Sequence, residues 1–121
     1  MIKFSRVVMA ASAATLLGGL PSSGANAQTV TIEQYQHPKG EKELNFNKIY
    51  FEGLKDGIVA YNTSQEDKLF CLGGTLPILS FDRASDTVLR WARKRGTDAT
   101  GLPLGLALLY SLKEAFPCTP R

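Results

Sequence analysis

Two cysteines, one histidine and two pairs of carboxylates are the residues of this chain whose types could carry chemistry. Cys71 and Cys118 are the only cysteines among the 121 residues. In an oxidising compartment they would form a disulfide that encloses the 46 residues between them. A cysteine used as a nucleophile instead needs a base beside it. Since we expect both sulfurs in one covalent bond, we predict a structural role for Cys71 and Cys118.

The histidine and the carboxylates do not form a recognisable catalytic or metal-binding pattern. His37 has no Cys, Asp or second His at ligand spacing, so we expect a solvated residue rather than a metal ligand or a general base. Glu66 and Asp67 are adjacent in a turn. Asp82 and Asp86 lie one turn apart on a solvent-exposed helix face, where we expect only mutual repulsion. The sequence therefore predicts a protein that is not an enzyme and holds no metal ion or cofactor.

The first 27 residues have the pattern of a secretory signal peptide. Lys3 and Arg6 give a positive start, residues 7–20 are apolar and uncharged, and the Ala-Asn-Ala at 25–27 is a small-x-small cleavage site. The apolar run is shorter than the roughly 20 residues of a membrane-spanning helix. We therefore expect cleavage after Ala27 and export without a remaining membrane span. The signal alone does not distinguish the periplasm from the exterior.

Removal of this leader leaves one small domain without marked charge. Taking 27 residues from 121 leaves 94, and the loss of Lys3 and Arg6 leaves 12 basic against 11 acidic residues. A net charge near +1 has no electrostatic footprint for nucleic acid. A chain of this size buries only about 60 to 65% of its unfolded surface. The disulfide should therefore matter, at on the order of 4 kcal/mol from restriction of the unfolded chain.

The mature sequence divides into a polar N-terminal segment and a helical domain. Residues 28–43 are mostly polar, and we expect them to form a flexible segment, in which the alternation of Val30 and Ile32 with threonine indicates a short extended piece. Residues 44–121 show helical periodicity and no strand-like alternation. The predicted fold class is all-α: a small, disulfide-clipped bundle of three main helices with one or two short ones.

Apolar residues at spacings of three and four define the three main helices. The first spans about 44–61, the second about 81–94 after the N-cap Ser80, and the third begins at Pro103 and ends at Pro117. The third is apolar over much of its circumference and should be the most buried. The predicted buried rows are Phe46, Tyr50, Leu54, Ile58 and Tyr61; Phe81, Ala84, Val88 and Trp91 or Ala92; and Leu104, Leu108, Leu112 and Ala115.

Gly53 and Gly57 are unusual in the interior of the first helix. Each costs about 0.5 to 1 kcal/mol there relative to alanine. Because they are four residues apart, they remove bulk from one helix face. We predict that another backbone approaches this face closely, either within the domain or across a homodimer.

Two segments are candidates for contact with a partner. The loop after Cys71 is apolar for a surface loop, so its side chains either enter the core or face a partner. The basic cluster in the last turn of the second helix either complements the carbonyl end and aids solubility or binds an acidic partner. The candidate partner-binding residues are Gly73, Gly74, Thr75 and Leu76 in the loop, and Arg93, Lys94 and Arg95 at the helix end.

Several short motifs follow one another in a recognisable order. They are an aromatic-x-x-Gly-x-x-Asp-Gly helix at 50–57, Leu-Phe-Cys at 69–71, a further helix, and Phe-Pro-Cys at 116–118. Together they cover residues 44–118 and resemble the type VI secretion amidase-immunity (Tai-type) family. The chain lacks the second cysteine pair that several relatives carry, and Leu-Gly-Gly-Thr-Leu follows Cys71 where relatives tend to place a proline sooner.

The resemblance implies a small α-helical protein of the Gram-negative periplasm that binds a cell-wall amidase toxin and blocks its active site. Two functions remain open at this point. The first is an inhibitor of a peptidoglycan amidase that binds through the loop after Cys71 or the segment at 94–101. The second is a periplasmic helper, similar in size and build to acid-stress chaperones, that has no toxin partner.

Overall fold

The computed structural model describes residues 29–74 and 77–118, and within them the protein is helical. The predicted all-α class, with three main helices and short additional ones, is confirmed. The leader predicted at 1–27 lies outside the described residues, as do Thr75 and Leu76. The elements are α1 (Ile32–Gln36), α2 (Glu41–Ser64), α3 (Phe81–Arg95), a 3₁₀ turn (Gly96–Ala99) and α4 (Leu104–Ala115).

The core forms where α4 packs against α2 and α3. Leu104, Leu108 and Leu112 are fully buried, as their four-residue spacing predicts, and the predicted row of α3 joins them in one cluster. The prediction that Ala115 completes the buried row of α4 is wrong, because Ala115 is the last residue of that helix and is exposed there. Leu106 and Tyr110, on the opposite side of α4, are exposed. The helix is therefore buried along one stripe rather than around most of its circumference, because α2 and α3 cover only that side.

The buried face of α2 differs from the apolar row that the sequence predicts. Phe51 is fully buried and Lys55 nearly so, whereas Phe46 and Tyr61 expose 49% and 61% of their surfaces. The prediction that Phe46 and Tyr61 face the core is wrong. The buried face of α2 includes polar residues, which an apolar pattern does not identify. Asn47 is buried there because its amide nitrogen donates a hydrogen bond to the backbone of α1. Lys55 can be buried because a lysine can bury its aliphatic stem.

Residues 30–36 are packed rather than flexible. Val30 and Ile32 are buried, and their backbones bond to the segment that enters α4. The Ile32 nitrogen donates to the Leu102 oxygen at 3.0 Å, and the Leu104 nitrogen donates to the Val30 oxygen at 2.8 Å. The expectation of flexibility is therefore wrong for these residues, because two buried aliphatic side chains and a short backbone ladder attach the segment to the core.

A capping box and an aromatic contact hold α1 in place. Thr31 accepts a hydrogen bond from the Gln34 nitrogen at 3.2 Å, and the Gln34 side chain accepts one from the Thr31 nitrogen at 2.9 Å. Tyr35 stacks on Phe51 of α2 and shares a hydrogen bond of 2.9 Å with Ser85 of α3. Burial raises the pKa of Tyr35 above its ordinary value. The short helix is thus tied to both long ones.

Candidate functional site

The predicted disulfide joins Cys71 to Cys118 and fixes the start of the loop between α2 and α3. The two Cα atoms lie 4.9 Å apart, and the Cys71 nitrogen donates to the Phe116 oxygen at 2.8 Å. This pair of links ties the loop entrance to the C-terminal end of α4. A structural disulfide is typical of an oxidising environment, such as the periplasm or the exterior.

A buried asparagine fixes the same loop entrance from the other side. Asn62 donates to the Phe70 oxygen at 2.8 Å, and its side-chain oxygen accepts from the nitrogens of Leu69 and Phe70 at 2.7 and 3.3 Å. Phe70 is fully buried beneath it. The sequence predicted that this helix ends at about residue 61, whereas α2 continues to Ser64. An asparagine one turn beyond Ile58, on an otherwise apolar row, is the signal that was missed.

The downstream end of the loop is also held. Leu79 is buried, and the hydroxyl oxygen of Ser80 accepts from the Arg83 nitrogen at 3.2 Å, which confirms the predicted N-cap. Gly73 and Gly74 have φ values of 82° and 76°, a conformation that disfavours any residue with a Cβ. The two glycines therefore allow the chain to turn away from the disulfide. Between these fixed points, Ile78 exposes 71% of its surface.

Ile78 borders a groove of about 570 Å³ that runs beside the C-terminal half of α2 and is also lined by Thr63. Lys55 also lines the groove, and its ammonium lies 2.7 Å from a Glu52 carboxylate oxygen and 3.3 Å from one of Asp56. The hydrogen bond that Lys55 donates to Glu52 raises the pKa of Lys55, burial acts in the opposite direction, and Asp56 raises it further. The groove therefore combines one exposed apolar side chain, Ile78, with the charged residues Lys55 and Asp56, and the sequence did not predict this combination.

The basic cluster at the end of α3 is largely engaged within the protein. The Arg95 guanidinium lies 4.1 Å from the centre of the Trp91 ring and bonds to Glu114 of α4 at 3.0 Å. Lys94 lies 3.8 Å from the same carboxylate. Arg93 is exposed and forms no ion pair with the described residues. Lys94 and Arg95 thus connect α3 to α4, and Arg93 is the predicted residue that keeps its charge in solvent.

The glycine pair of α2 does not mediate close packing within the domain. A Cβ placed on Gly53 or on Gly57 would meet no described atom within 4 Å apart from the neighbouring backbone of its own helix. The intramolecular alternative is therefore wrong for the part of the chain that the structure describes. The close approach occurs instead at Gly105 of α4, where a Cβ would lie 3.2 Å from a methyl group of Leu54.

The remaining candidate chemistry stays dispersed in the described part of the chain. His37 caps the C-terminus of α1 and is exposed. Residues 29–74 and 77–118 contain no group of three or more His, Cys, Asp or Glu side chains that could hold a metal ion. None of the helices in these two ranges has both the length and the apolar character to span a membrane.

Comparison with known proteins finds no matching family model, no similar curated sequence and no similar solved structure. The site is therefore defined by its own geometry. It consists of the fixed residues on both sides of the loop, the exposed Ile78 and the groove beside it.

Proposed function

We propose that this protein is an inhibitor-type binding protein of the periplasm that occludes a peptidoglycan amidase toxin. The observation that carries this proposal is the exposed Ile78 between anchored segments. Cys71 and Asn62 fix the chain before the loop, and Leu79 and Ser80 fix it afterwards. Anchoring of this kind lowers the ordering cost of binding. The motif order that resembles the amidase-immunity family supports the choice of target.

The chemistry of the site suits insertion into an enzyme cleft. Enzyme active sites are concave and mostly apolar, with a few placed polar groups. Ile78 would supply the apolar anchor, and a side chain that becomes buried at the centre of an interface carries a large share of the binding energy. The exposed Asp56 carboxylate at the groove would contact polar groups at the rim of the cleft. No covalent step is needed, because exclusion of the peptidoglycan substrate is sufficient for inhibition.

The test is a direct inhibition assay. The exported protein is titrated against the amidase encoded beside its gene, and peptidoglycan hydrolysis is measured. We expect Ile78→Glu to weaken inhibition about tenfold or more, because a carboxylate would enter an apolar cleft without a partner. Ile49→Glu is the matched control, since Ile49 is similarly exposed at 74% but lies in the N-terminal half of α2 and does not line the groove.

Three results would contradict the proposal. The wild-type protein fails to bind or inhibit the amidase, Ile78→Glu inhibits as strongly as the wild type, or the two variants lose inhibition equally. Protection of unfolded proteins at low pH, without any amidase binding, would instead support the periplasmic helper.

A further inference from the structure

A second cleft, of about 560 Å³, lies between α1 and the first two turns of α2. Val30 and Phe46 give it apolar surface, and Gln34 and Asn47 give it amide groups. Its volume falls within the roughly 300 to 1,000 Å³ of small-molecule sites. It shares no residue with the groove beside Ile78. The cleft is therefore a separate candidate site.

Charged side chains of both signs line this cleft. Glu33 and Glu43 supply carboxylates, and Lys39 supplies an ammonium group. None of these three forms an ion pair with another of the described residues. Charges in a cleft act more strongly on a bound ion than charges on an open surface, because less water screens them. The cleft therefore suits a ligand that carries a positive and a negative group at separate positions.

Asn47 adds a hydrogen-bonding group that the fold uses only in part. The residue exposes 2% of its surface, and its amide nitrogen donates to the Gln34 oxygen at 3.0 Å. Its side-chain oxygen accepts no hydrogen bond from the residues that the structure describes. Because polar groups of buried residues normally have partners, an N–H group of a bound ligand would supply the missing donor.

Phe46 gives the cleft an aromatic surface. It exposes 49% of its surface, and its ring stacks on that of Tyr50 with 6.0 Å between the ring centres. The contact with Tyr50 holds the ring in position beside the buried Val30. An apolar side chain of a ligand would cover Phe46 and remove apolar surface from water.

We propose that this cleft binds a short peptide whose amino and carboxyl ends are both free. The peptide ammonium pairs with Glu43, which is half-buried and so less hydrated than the exposed Glu33, and the peptide carboxylate pairs with Lys39. A backbone N–H of the peptide donates to the Asn47 oxygen, and an apolar side chain contacts Phe46. A free amino acid has the two charges but no peptide N–H, so we expect a di- or tripeptide.

Titration of the exported, disulfide-bonded protein with the dipeptide Ala-Leu tests the proposal. Nuclear magnetic resonance of the isotopically labelled protein follows the backbone amide signals, and those of residues 29–47 should shift. We expect a dissociation constant in the high micromolar to millimolar range, as is usual for a ligand of this size. N-acetyl-Ala-Leu and Ala-Leu amide each lack one terminal charge and should each bind about tenfold more weakly.

Two substitutions assign each end of the peptide to its side chain. Lys39→Gln and Glu43→Gln should each weaken binding of Ala-Leu about tenfold. Lys39→Gln should leave the affinity for Ala-Leu amide unchanged, and Glu43→Gln should leave that for N-acetyl-Ala-Leu unchanged, because the charged partner is already absent. Lys42→Gln and Glu41→Gln are the matched controls, since both residues are exposed in the first turn of α2 and do not line the cleft.

Three results would overturn the proposal. No signal of residues 29–47 shifts at about 10 mM dipeptide, the capped peptides bind as tightly as the free one, or the control substitutions weaken binding as much as Lys39→Gln and Glu43→Gln do. Ala-D-Leu distinguishes the source of the ligand, since peptides from proteins contain only L residues and those from peptidoglycan also contain D residues. Binding of either isomer through its two free ends supports the proposal. Amidase inhibition is tested through Ile78, outside this cleft, so the two proposals fail independently.

Discussion

At the scale of single residues, Asn62 does the most for the geometry of the site. Its amide group makes three hydrogen bonds to the backbone of Leu69 and Phe70, and the residue exposes only 5% of its surface. Two of those backbone groups belong to the buried Phe70, so water cannot readily replace the amide. The disulfide and Asn62 thus constrain adjacent residues by different chemistry, one covalent and one polar.

Replacement of Asn62 should therefore be costly. We expect Asn62→Ala to lower the free energy of unfolding by about 2 to 4 kcal/mol, because it leaves buried backbone donors and an acceptor without partners. Urea denaturation followed by circular dichroism measures the change. Thr63→Ala is the neighbouring control, since Thr63 is exposed and bonds only within its own helix, and it should change stability by less than about 0.5 kcal/mol. Equal effects of the two substitutions would show that the hydrogen bonds of Asn62 contribute little to stability.

At the scale of helices, much of the fold was predictable from residue spacing. The row of α3, and that of α4 apart from the exposed Ala115 at its end, are correct because their buried positions are occupied by apolar residues such as Val88 and Leu108. The row of α2 was misassigned because its buried positions include Asn47, Lys55 and Asn62, which an apolar pattern does not identify. These polar residues are tolerated in the interior because specific hydrogen bonds or ion pairs satisfy them.

The candidate site was predictable only in part for a related reason. The sequence predicted the disulfide and the apolar loop, since cysteine number and glycine content are local signals. It did not predict the groove, because Lys55 and Ile78 are 23 positions apart in the chain and meet only through tertiary packing. The docked α1 was missed for the same reason, since Ile32 is buried by its contact with residues that precede α4.

The helix glycines allow a prediction that separates exposed from packed positions. Gly53→Ala should raise the free energy of monomer unfolding by about 0.5 to 1 kcal/mol, because the added methyl is unhindered and alanine favours the helix. Gly105→Ala should gain less, because its methyl would lie 3.2 Å from Leu54 and force that side chain to move. Thermal unfolding compares the two variants with the wild type. A larger gain at Gly105 would mean that the α2–α4 contact is loose.

At the scale of the whole molecule, one covalent bond links the end of the last helix to the middle of the chain. The part of the α2–α3 loop that follows Cys71, together with α3 and α4, lies within the loop that the Cys71–Cys118 disulfide closes, with a sequence separation of 47. Only α1 and α2 precede it. Domains of this size have small net stability because their cores are limited, so the restriction of the unfolded chain is a substantial part of what keeps this one folded.

Removal of that bond should therefore affect the whole protein and the site together. We expect the double substitution Cys71→Ser with Cys118→Ser to lower the free energy of unfolding by about 2 to 5 kcal/mol, as measured by urea denaturation. We also expect it to weaken inhibition of the amidase, because the entrance to the loop loses its covalent anchor. Asn62 and the bond between the Cys71 nitrogen and the Phe116 oxygen would remain. If inhibition weakened while the protein was still fully folded, the disulfide would position the loop as well as stabilise the domain. If inhibition were unchanged under those conditions, the non-covalent anchors would be sufficient for the site, and the disulfide would act on stability alone.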